Sequence, residues 1–467
     1  MALVLNRRRH PVCYIPPELL VKIFINCLPC DPCPNGDEAP LNISSVCSTW
    51  RQIAISTQQL WSHIFITDRP NCHYISIVET WISRSLNYGF SFTLRWCPVN
   101  PQYEKKVRQM IDLLVEHCGT WREVAFTLPM SYASPLMSVI PTETPILEKL
   151  AVHSAGHMSL AVYSIDEFFS NSLPSLTHMS FQAHTTFAPH NCPLRLENLC
   201  SLSLLMADPF TVMDILSRSP RLEDATIHVD YGKESFPGSR LPKEHVSLAC
   251  LHFLRLAATL GQLDADGGGL GEFLEKLHLP VVKTLFLGYK STRCDRNENN
   301  TFPWKQFVDL LCRSNSNLQN LEILGIGDCG VVGPSLIPGF LAAVPDLKYL
   351  GVSGSPFSSS AIYTLIQHLS LPSNRCLRFT PSLESFSILS FFSPDETRGS
   401  RLLNTIVDQL ECWTPLDIRP PLLILGHRLF ESYSLPSESR VEIITYDNWK
   451  AQHKHDLFKD TWGAQSL

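Results

Sequence analysis

The sequence has little net charge and no long apolar run, and both absences limit what it can bind. Its 467 residues include 38 Lys and Arg against 44 Asp and Glu, a formal net charge of −6. Nucleic acids and anionic membranes favour a basic face, so we expect neither as a partner. No segment approaches the roughly 18 uninterrupted apolar residues of a membrane span. The apolar residues 2–5 are too few for a signal peptide, and the arginines at 7–9 follow them instead of preceding them.

Signals for catalysis and for disulfide bonding are also scarce. The sequence contains no P-loop and no G-x-S-x-G nucleophile elbow. The 16 cysteines are scattered, as buried free thiols would be, which indicates a reducing compartment, the cytoplasm or the nucleus. Several histidines stand in no fixed relation to a carboxylate or a cysteine: His153, His157, His178, His184 and His190. We therefore expect no enzyme activity and no cofactor.

One group of cysteines has the spacing of a metal site. Cys27, Cys30 and Cys33 are separated by two residues each, as thiolate ligands of zinc or an iron–sulfur cluster are. Cys27 and the nearby Cys47 belong to apolar helix faces, however, and no second C-x-x-C or paired histidine follows. We expect no metal here.

A second apparent metal-binding motif is a calcium-loop pattern at residues 264–269 with Glu275. Gly268 stands where such a loop needs an oxygen ligand, and no flanking helix pair is clear. We interpret this stretch as an insertion loop.

Residues 15–64 indicate a small helical unit with more apolar surface than it can bury. Pro16 and Pro17 suit the first turn of a helix, because proline lacks the N–H that would be unpaired there. A unit of about fifty residues is near the lower limit for a stable core, so we expect a partner to cover part of it. Three apolar stripes at helical spacing are Leu19, Leu20, Ile23, Phe24 and Cys27; Ile43, Val46, Cys47, Trp50 and Ala54; and Leu60, Trp61 and Ile64.

This segment resembles an F-box, the motif that docks a substrate receptor on the Skp adaptor of a cullin-based ubiquitin ligase. The matching pieces are residues 15–20, 23–24, 27–29, 43–47, 50–54 and 60–61. It looks most like F-box proteins of mushroom-forming fungi, departing from them at Ile15 and in the polar insert at 31–40. The alternative is an ordinary helical hairpin. The resemblance implies that the adaptor contacts are Pro16, Pro17, Leu19, Leu20, Ile23, Phe24, Val46, Trp50, Leu60 and Trp61.

Beyond residue 64 an apolar-x-x-apolar-x-apolar unit recurs at intervals of 23 to 39 residues. The shorter intervals match leucine-rich repeats. The units begin at Trp121, Leu147, Leu176, Leu199, Leu222, Leu251, Val282, Leu321, Leu347 and Leu383. Helical spacing lies between them at 105–118, 166–173, 213–219, 307–314, 362–369 and 406–413. Proline before a following strand ends such a helix.

Repeated strands and returning helices predict a curved parallel sheet with helices outside it. We therefore expect an α+β protein whose body resembles a leucine-rich-repeat solenoid, with a non-repeating α/β domain as the alternative. Residues 420–426 and 441–446 predict strands that cap the solenoid. The expected organisation is a flexible N-terminus at 1–14, an F-box domain at 15–65, an irregular solenoid at 66–447 and a C-terminal tail at 448–467.

Residues beside the middle apolar position of each strand lie on the face opposite the helices. That face is mixed in character, which suits a protein partner. We expect target contacts from Phe253, Arg255, Phe286 and Tyr349, because aromatic and Arg side chains carry much interface energy. The resemblance then implies a non-catalytic substrate receptor of an SCF-type ubiquitin ligase, bound to a Skp-type adaptor, through it to a cullin, and to an unknown target protein. The alternative is a repeat scaffold that is not coupled to ubiquitination.

Overall fold

A computed structural model describes residues 15–448, apart from 68–73, 86–87, 97–102, 155–162, 165–172, 187–195, 231–240, 242–243, 261–267, 292–302, 315–316, 327–336, 359–361, 363, 368–382, 393–402, 409, 411–421 and 426–438. The chain divides into two compact units, Met1–Ala161 with Glu167–Leu176, and Val162–Asp166 with Thr177–Leu467. The predicted N-terminus at 1–14 and tail beyond 448 lie outside the described residues. No described helix is long and apolar enough to cross a membrane.

The first unit begins with short helices and continues into a parallel sheet. Its helices are α1 Pro17–Asn26, α2 Leu41–Val46, α3 Ser48–Ser56, α4 Tyr74–Ser85, α5 Glu104–Glu116 and α6 Met130–Glu143, with 3-10 turns at Gln58–Trp61 and Cys118–Thr120. Its strands are β1 His63–Ile66, β2 Phe90–Arg95, β3 Trp121–Leu128 and β4 Lys149–Ser154. These strands pair in chain order, and every pair is parallel. The predicted domain boundary after residue 65 therefore falls inside a strand.

The second unit contains most of the strands. They are β5 Tyr163–Ser164, β6 His178–Thr186, β7 Ser201–Ala207, β8 Asp224–Asp230, β9 Val246–Ser247, β10 Phe253–Leu260, β11 Leu277–His278, β12 Thr284–Ser291, β13 Asn320–Ile326, β14 Tyr349–Ser358, β15 Ser385–Phe392, β16 Leu422–Leu425 and β17 Ile443–Thr445. The helices are α7 Pro209–Ser217, α8 Gly268–Lys276, α9 Trp304–Ser314 and α10 Ile337–Ala342. β6, β7, β8, β10 and β12–β17 form one parallel series in that order, while β9 pairs with β11. The mixed helix and strand content is that of an α+β protein.

The recurring apolar units form the core beneath the strands. Leu202, Ala225, Leu254 and Leu285 align on neighbouring strands, and each is at most 2 % exposed. Because alternate residues of a strand lie on opposite faces, this alignment gives one continuous apolar layer. The predicted strands at 420–426 and 441–446 are confirmed as β16 and β17.

The unit predicted to begin at Leu321 is shifted. Leu321 aligns with Leu285, and Ile323 aligns with Leu287, so this repeat begins at the buried Leu318. In the sequence, leucines at 318, 321 and 324 allow the unit to begin at either Leu318 or Leu321. The register with β12 decides between these two starting points. The prediction that Leu321 opens the unit was therefore wrong by three residues.

The helices follow local signals where the structure describes them. The predicted helix at 105–118 is confirmed as α5, whose buried face is Val107, Met110, Ile111 and Leu114. The helix predicted at 213–219 begins earlier, at Pro209, because the Asp208 carboxylate accepts hydrogen bonds from the N–H groups of Phe210 and Thr211. The described part of the predicted insertion loop is α8, while the helix predicted at 166–173 lies almost entirely outside the described residues.

The insert at 31–40 covers the outer edge of β1. The N–H of Phe65 donates to the carbonyl of Pro32 at 2.8 Å, and the Tyr74 hydroxyl donates to the carbonyl of Phe65 at 3.2 Å. An exposed edge strand presents unpaired backbone groups to other chains. The polar insert therefore protects the first strand of the sheet.

Candidate functional site

Large apolar side chains stand exposed on the first three helices. Leu19 is 50 % exposed, Ile23 44 %, Val46 60 % and Ile55 40 %. Among the described residues, the other large hydrophobic side chains with comparable exposure are Tyr88 and Ile146. Such a concentration on one small module is a feature of surfaces that bind a partner.

Helix α1 is apolar on two faces, and the described residues cover only one of them. Leu20 and Phe24 are one turn apart and buried, whereas Leu19 and Ile23 have the same spacing one residue earlier and remain exposed. Pro17 occupies the first turn, and Glu18 lies near the positive end of the helix dipole. The outward face of α1 is therefore available for contact.

Tryptophans fill the interior beneath this surface. The Trp61 indole N–H donates to the carbonyl of Ala54 at 2.8 Å, and its ring meets Trp81 edge-on at 4.8 Å between centroids. The Trp50 ring lies 4.9 Å from that of Phe24. The guanidinium of Arg84 lies 4.2 Å from the Trp61 ring centre. Because Trp81 and Arg84 belong to α4, the helical module shares its core with the first strand–helix unit of the sheet.

The structure divides the predicted adaptor contacts into two groups. Pro16, Pro17, Leu19, Ile23 and Val46 are exposed, and Trp50 is half-buried. The module's own packing buries the second group, and a direct adaptor contact by these side chains stays a prediction. They are Leu20, Phe24, Leu60 and Trp61, each at most 4 % exposed.

Sequence reasoning missed Ile55 as a surface residue. It lies outside the helical stripe through Trp50 and Ala54, and its exposure places it with the first group. An apolar residue off the core stripe of a short helix is the signal that could have found it.

The cysteines of this module do not converge. Cys27, Cys30 and Cys47 are exposed, and Cys33 is half-buried. Burial, with smaller effects from Glu38 and Asp31, raises the pKa of the Cys33 thiol. Cys47 has a local role, because its sulfur accepts a hydrogen bond from the N–H of Trp50 at the start of α3. No group of His, Cys, Asp or Glu within the described ranges could hold a metal ion.

A comparison with known protein families finds a match to this helical module. The family model described as F-box-like matches residues 12–67. Residues 12–67 are an F-box-like domain. F-box domains generally bind Skp-type adaptors. A search of curated proteins finds no match to the chain.

A second candidate surface is the inner face of the second unit, the face opposite the apolar layer. Its aromatic residues form a cluster with the last two strands instead of standing free. Phe253, Phe286, Tyr349 and Ile424 are buried there, with Leu422, Ile444 and Tyr446 packed against them. The residues that cover the face come from the C-terminal end of the sheet.

A buried carboxylate lies in this cluster. Glu322 is 8 % exposed and accepts hydrogen bonds from the hydroxyls of Tyr349 at 2.9 Å and Tyr446 at 3.2 Å. β13 and β17 would be about 19 Å apart in a flat sheet, which is farther than two side chains reach. These strands therefore curve until their inner faces meet.

The electrostatics of the cluster follow from that burial. Loss of water, and then the Glu322 carboxylate, raise the pKa of Tyr349 and of Tyr446 well above the ordinary value. Arg255 lies over the Phe286 ring at 5.2 Å. Its positive charge lowers the pKa of Tyr446 and so acts against the effects of burial and of Glu322. Both tyrosines therefore stay protonated as donors to Glu322.

Three of the four predicted target contacts are buried in this cluster. Phe253, Phe286 and Tyr349 are 7 %, 5 % and 2 % exposed, and Arg255 alone is partly accessible. Strand alternation placed them correctly on the inner face but could not show that β16 and β17 cover it. Their role in target recognition stays a prediction.

One glycine spacing departs from the expected absence of dinucleotide-binding motifs. Gly325, Gly327 and Gly330 have the spacing G-x-G-x-x-G of dinucleotide-binding loops. Gly325 lies within β13, and the rest of the pattern lies outside the described residues. The spacing alone carries no functional assignment.

Proposed function

We propose that this chain is the substrate-recognition subunit of an SCF-type ubiquitin ligase in the cytoplasm or the nucleus, a non-catalytic adaptor. The F-box-like domain would bind a Skp-type adaptor and through it a cullin. The single observation that carries this is the exposed apolar set Leu19, Ile23 and Val46 on a domain whose own core is already filled. Full burial of an exposed side chain of this size gains about 1.5–3 kcal/mol, and these half-exposed side chains would gain about half of that each.

The body would be a leucine-rich-repeat-like solenoid that presents a target protein. Support comes from the parallel series β6 to β17, from the repeated apolar unit beneath it, and from helices that follow several strands. Each repeat buries its apolar residues mainly against its neighbours, which leaves loops and edges free for recognition. The resemblance to proteins of mushroom-forming fungi remains part of this proposal.

The test is capture of purified Skp-type adaptor by the full chain. Leu19→Asp, Ile23→Asp and Val46→Asp each place a charge on the outward face, and we expect each to weaken adaptor binding at least about tenfold, because an unpaired charge cannot be buried cheaply. Matched controls are Tyr88→Asp and Ile146→Asp, which alter similarly exposed apolar residues outside the domain. Wild-type capture by all three domain variants would overturn the proposal.

The second candidate is a repeat scaffold whose F-box-like domain binds the adaptor without ubiquitination. It is favoured by the burial of the predicted target contacts, which leaves no identified target surface on the inner face of β10–β17. Reconstitution with adaptor and cullin separates the two functions. Recovery of a ternary complex supports the ligase subunit, whereas adaptor binding that excludes the cullin supports the scaffold.

A further inference from the structure

Three side chains that can donate hydrogen bonds align on neighbouring strands of the first unit. Arg95 on β2 aligns with Thr127 on β3, and Thr127 aligns with His153 on β4. The residues before them, Leu94 and Phe126, are buried in the apolar layer. Because alternate residues of a strand lie on opposite faces, the aligned row belongs to the inner face, near the carboxyl ends of the strands.

Among the described residues, neither the guanidinium of Arg95 nor the Nε2 atom of His153 has a hydrogen-bond partner. Within the described part of the chain, the Arg95 guanidinium forms no ion pair or hydrogen bond and lies 5.3 Å from the ring centre of Phe65. The Nε2 atom of His153 is buried, and no described residue hydrogen-bonds to it. A buried polar atom without a partner is costly and calls for an explanation.

The neighbouring charges do not supply that partner. The carboxylate of Glu123, two rows away on the same face, is engaged by Lys149 at 3.1 Å. His63, the remaining titratable group in that row, lies on β1. Burial, followed by the positive charge of Arg95, lowers the pKa of His153 to about 4, so the imidazole is neutral at physiological pH. The row is thus one fixed cation beside a neutral ring and a hydroxyl.

The next row on the inner face has short side chains. The adjacent inner-face positions on β3 and β4 are Ala125 and Ala151, whose side chains are the smallest that carry a Cβ. Arg95 and His153 are two strand spacings apart, about 10 Å between Cα atoms. Both side chains are long enough to converge over Thr127, and Arg95 is exposed, so its guanidinium can turn away from Phe65.

We propose that Arg95, Thr127 and His153 form a binding site for an oxyanion, a carboxylate or phosphate group. The guanidinium fork donates two parallel hydrogen bonds to the oxyanion, while the Thr127 hydroxyl and the Nε2–H tautomer of His153 each donate one. This site lies outside the exposed apolar set of the F-box-like domain. The proposal of this oxyanion site does not depend on whether the chain binds a Skp-type adaptor.

The experiment observes His153 directly in the full chain. Histidines are labelled at Cε1 for NMR, and the signal that disappears in His153→Asn identifies the residue. Inorganic phosphate and acetate are titrated separately to tens of millimolar at fixed pH and ionic strength. We expect a saturable shift of the His153 signal with at least one probe, and the tighter probe identifies the charged group that the site prefers.

Three variants decide the assignment. Arg95→Gln should weaken binding of the tighter probe at least about tenfold, since a charge-assisted hydrogen-bond pair is lost, and Arg95→Lys should have an intermediate effect. Arg108→Gln is the matched control, because Arg108 is an exposed arginine on α5 paired with Glu104. The absence of a saturable shift in the wild type with both probes, or equal affinity in wild type and Arg95→Gln at unchanged melting temperature, would overturn the site.

Discussion

The hydroxyl of Tyr446 donates a hydrogen bond to the carboxylate of Glu322 across 124 positions of sequence. The contact connects the end of the last strand to the middle of the second unit. It also satisfies a carboxylate that is 8 % exposed. A buried charge without such partners is strongly destabilising. The C-terminal strands therefore contribute to the core of this unit.

We first predict that Tyr446→Phe lowers the free energy of unfolding by about 1.5–3 kcal/mol, the usual contribution of a hydrogen bond to a charged group. Chemical denaturation measures the change. Tyr88→Phe, at a tyrosine that is 41 % exposed, serves as the control and should stay within about 0.5 kcal/mol of the wild type. Equal stability of Tyr446→Phe and the wild type would show that the contact is not stabilising.

The second prediction concerns the glycine beneath Tyr349. A Cβ added at Gly351 would lie 2.7 Å from the Tyr349 hydroxyl and 3.0 Å from Glu322 Cγ. Gly351→Ala should therefore cost about 1–3 kcal/mol, as overpacking does. Gly288→Ala is the control, since its Cβ would meet Ala257 at an ordinary 3.7 Å. Adding Tyr349→Phe to Gly351→Ala removes the nearest clashing atom, so the two changes should be less than additive.

Third, substitutions of interior and of surface residues of the F-box-like domain should differ in their effects on stability and on adaptor binding. Trp61→Ala should lower stability by about 3–5 kcal/mol, because a fully buried indole is lost. Leu19→Ala should change stability by no more than about 0.5 kcal/mol while weakening adaptor capture. Thermal unfolding and adaptor titration of the same preparations test this. If Leu19→Ala unfolds the domain, its side chain belongs to the core.

Fourth, His153 should make stability depend on pH. Its folded pKa of about 4 lies below the ordinary 6.5, so the unfolded chain takes up the proton first. The contribution is present above pH 6.5 and is lost as the pH falls toward 4. Between pH 7 and 5, the wild type should lose on the order of 1–2 kcal/mol more than His153→Asn. Urea denaturation at both pH values checks the difference, and parallel losses would contradict it.

The strands of the body were largely predictable because their signal is local. Three apolar residues at fixed spacing, as in Leu251, Leu254 and Leu256, predict one buried row and one strand. β1 was missed because Trp61 and Ile64 were assigned to the helical segment, and β2 was missed as well. The apolar unit therefore starts inside the F-box-like domain, where its pattern overlaps a helical one.

The candidate sites were less predictable because they depend on which neighbour covers a given face. In α1, the pairs Leu19 with Ile23 and Leu20 with Phe24 have the same spacing, and only contact with Trp50 and other interior residues selects the second pair for burial. Phe286 and Tyr349 are similar: whether they are exposed depends on Tyr446, which is distant in sequence.

The connection between the F-box-like domain and the sheet has a further consequence. A single residue, Ser62, separates the 3-10 turn ending at Trp61 from β1, and the Trp61–Trp81 contact lies across the junction. Flexible linkers spread attached groups over a large volume, whereas this junction has no such freedom. Two ligands bound within the first unit, one on α1 and one on the inner face of β2–β4, would be held close together at a fixed separation. The effective concentration of each ligand at the other's site would therefore be high and constant.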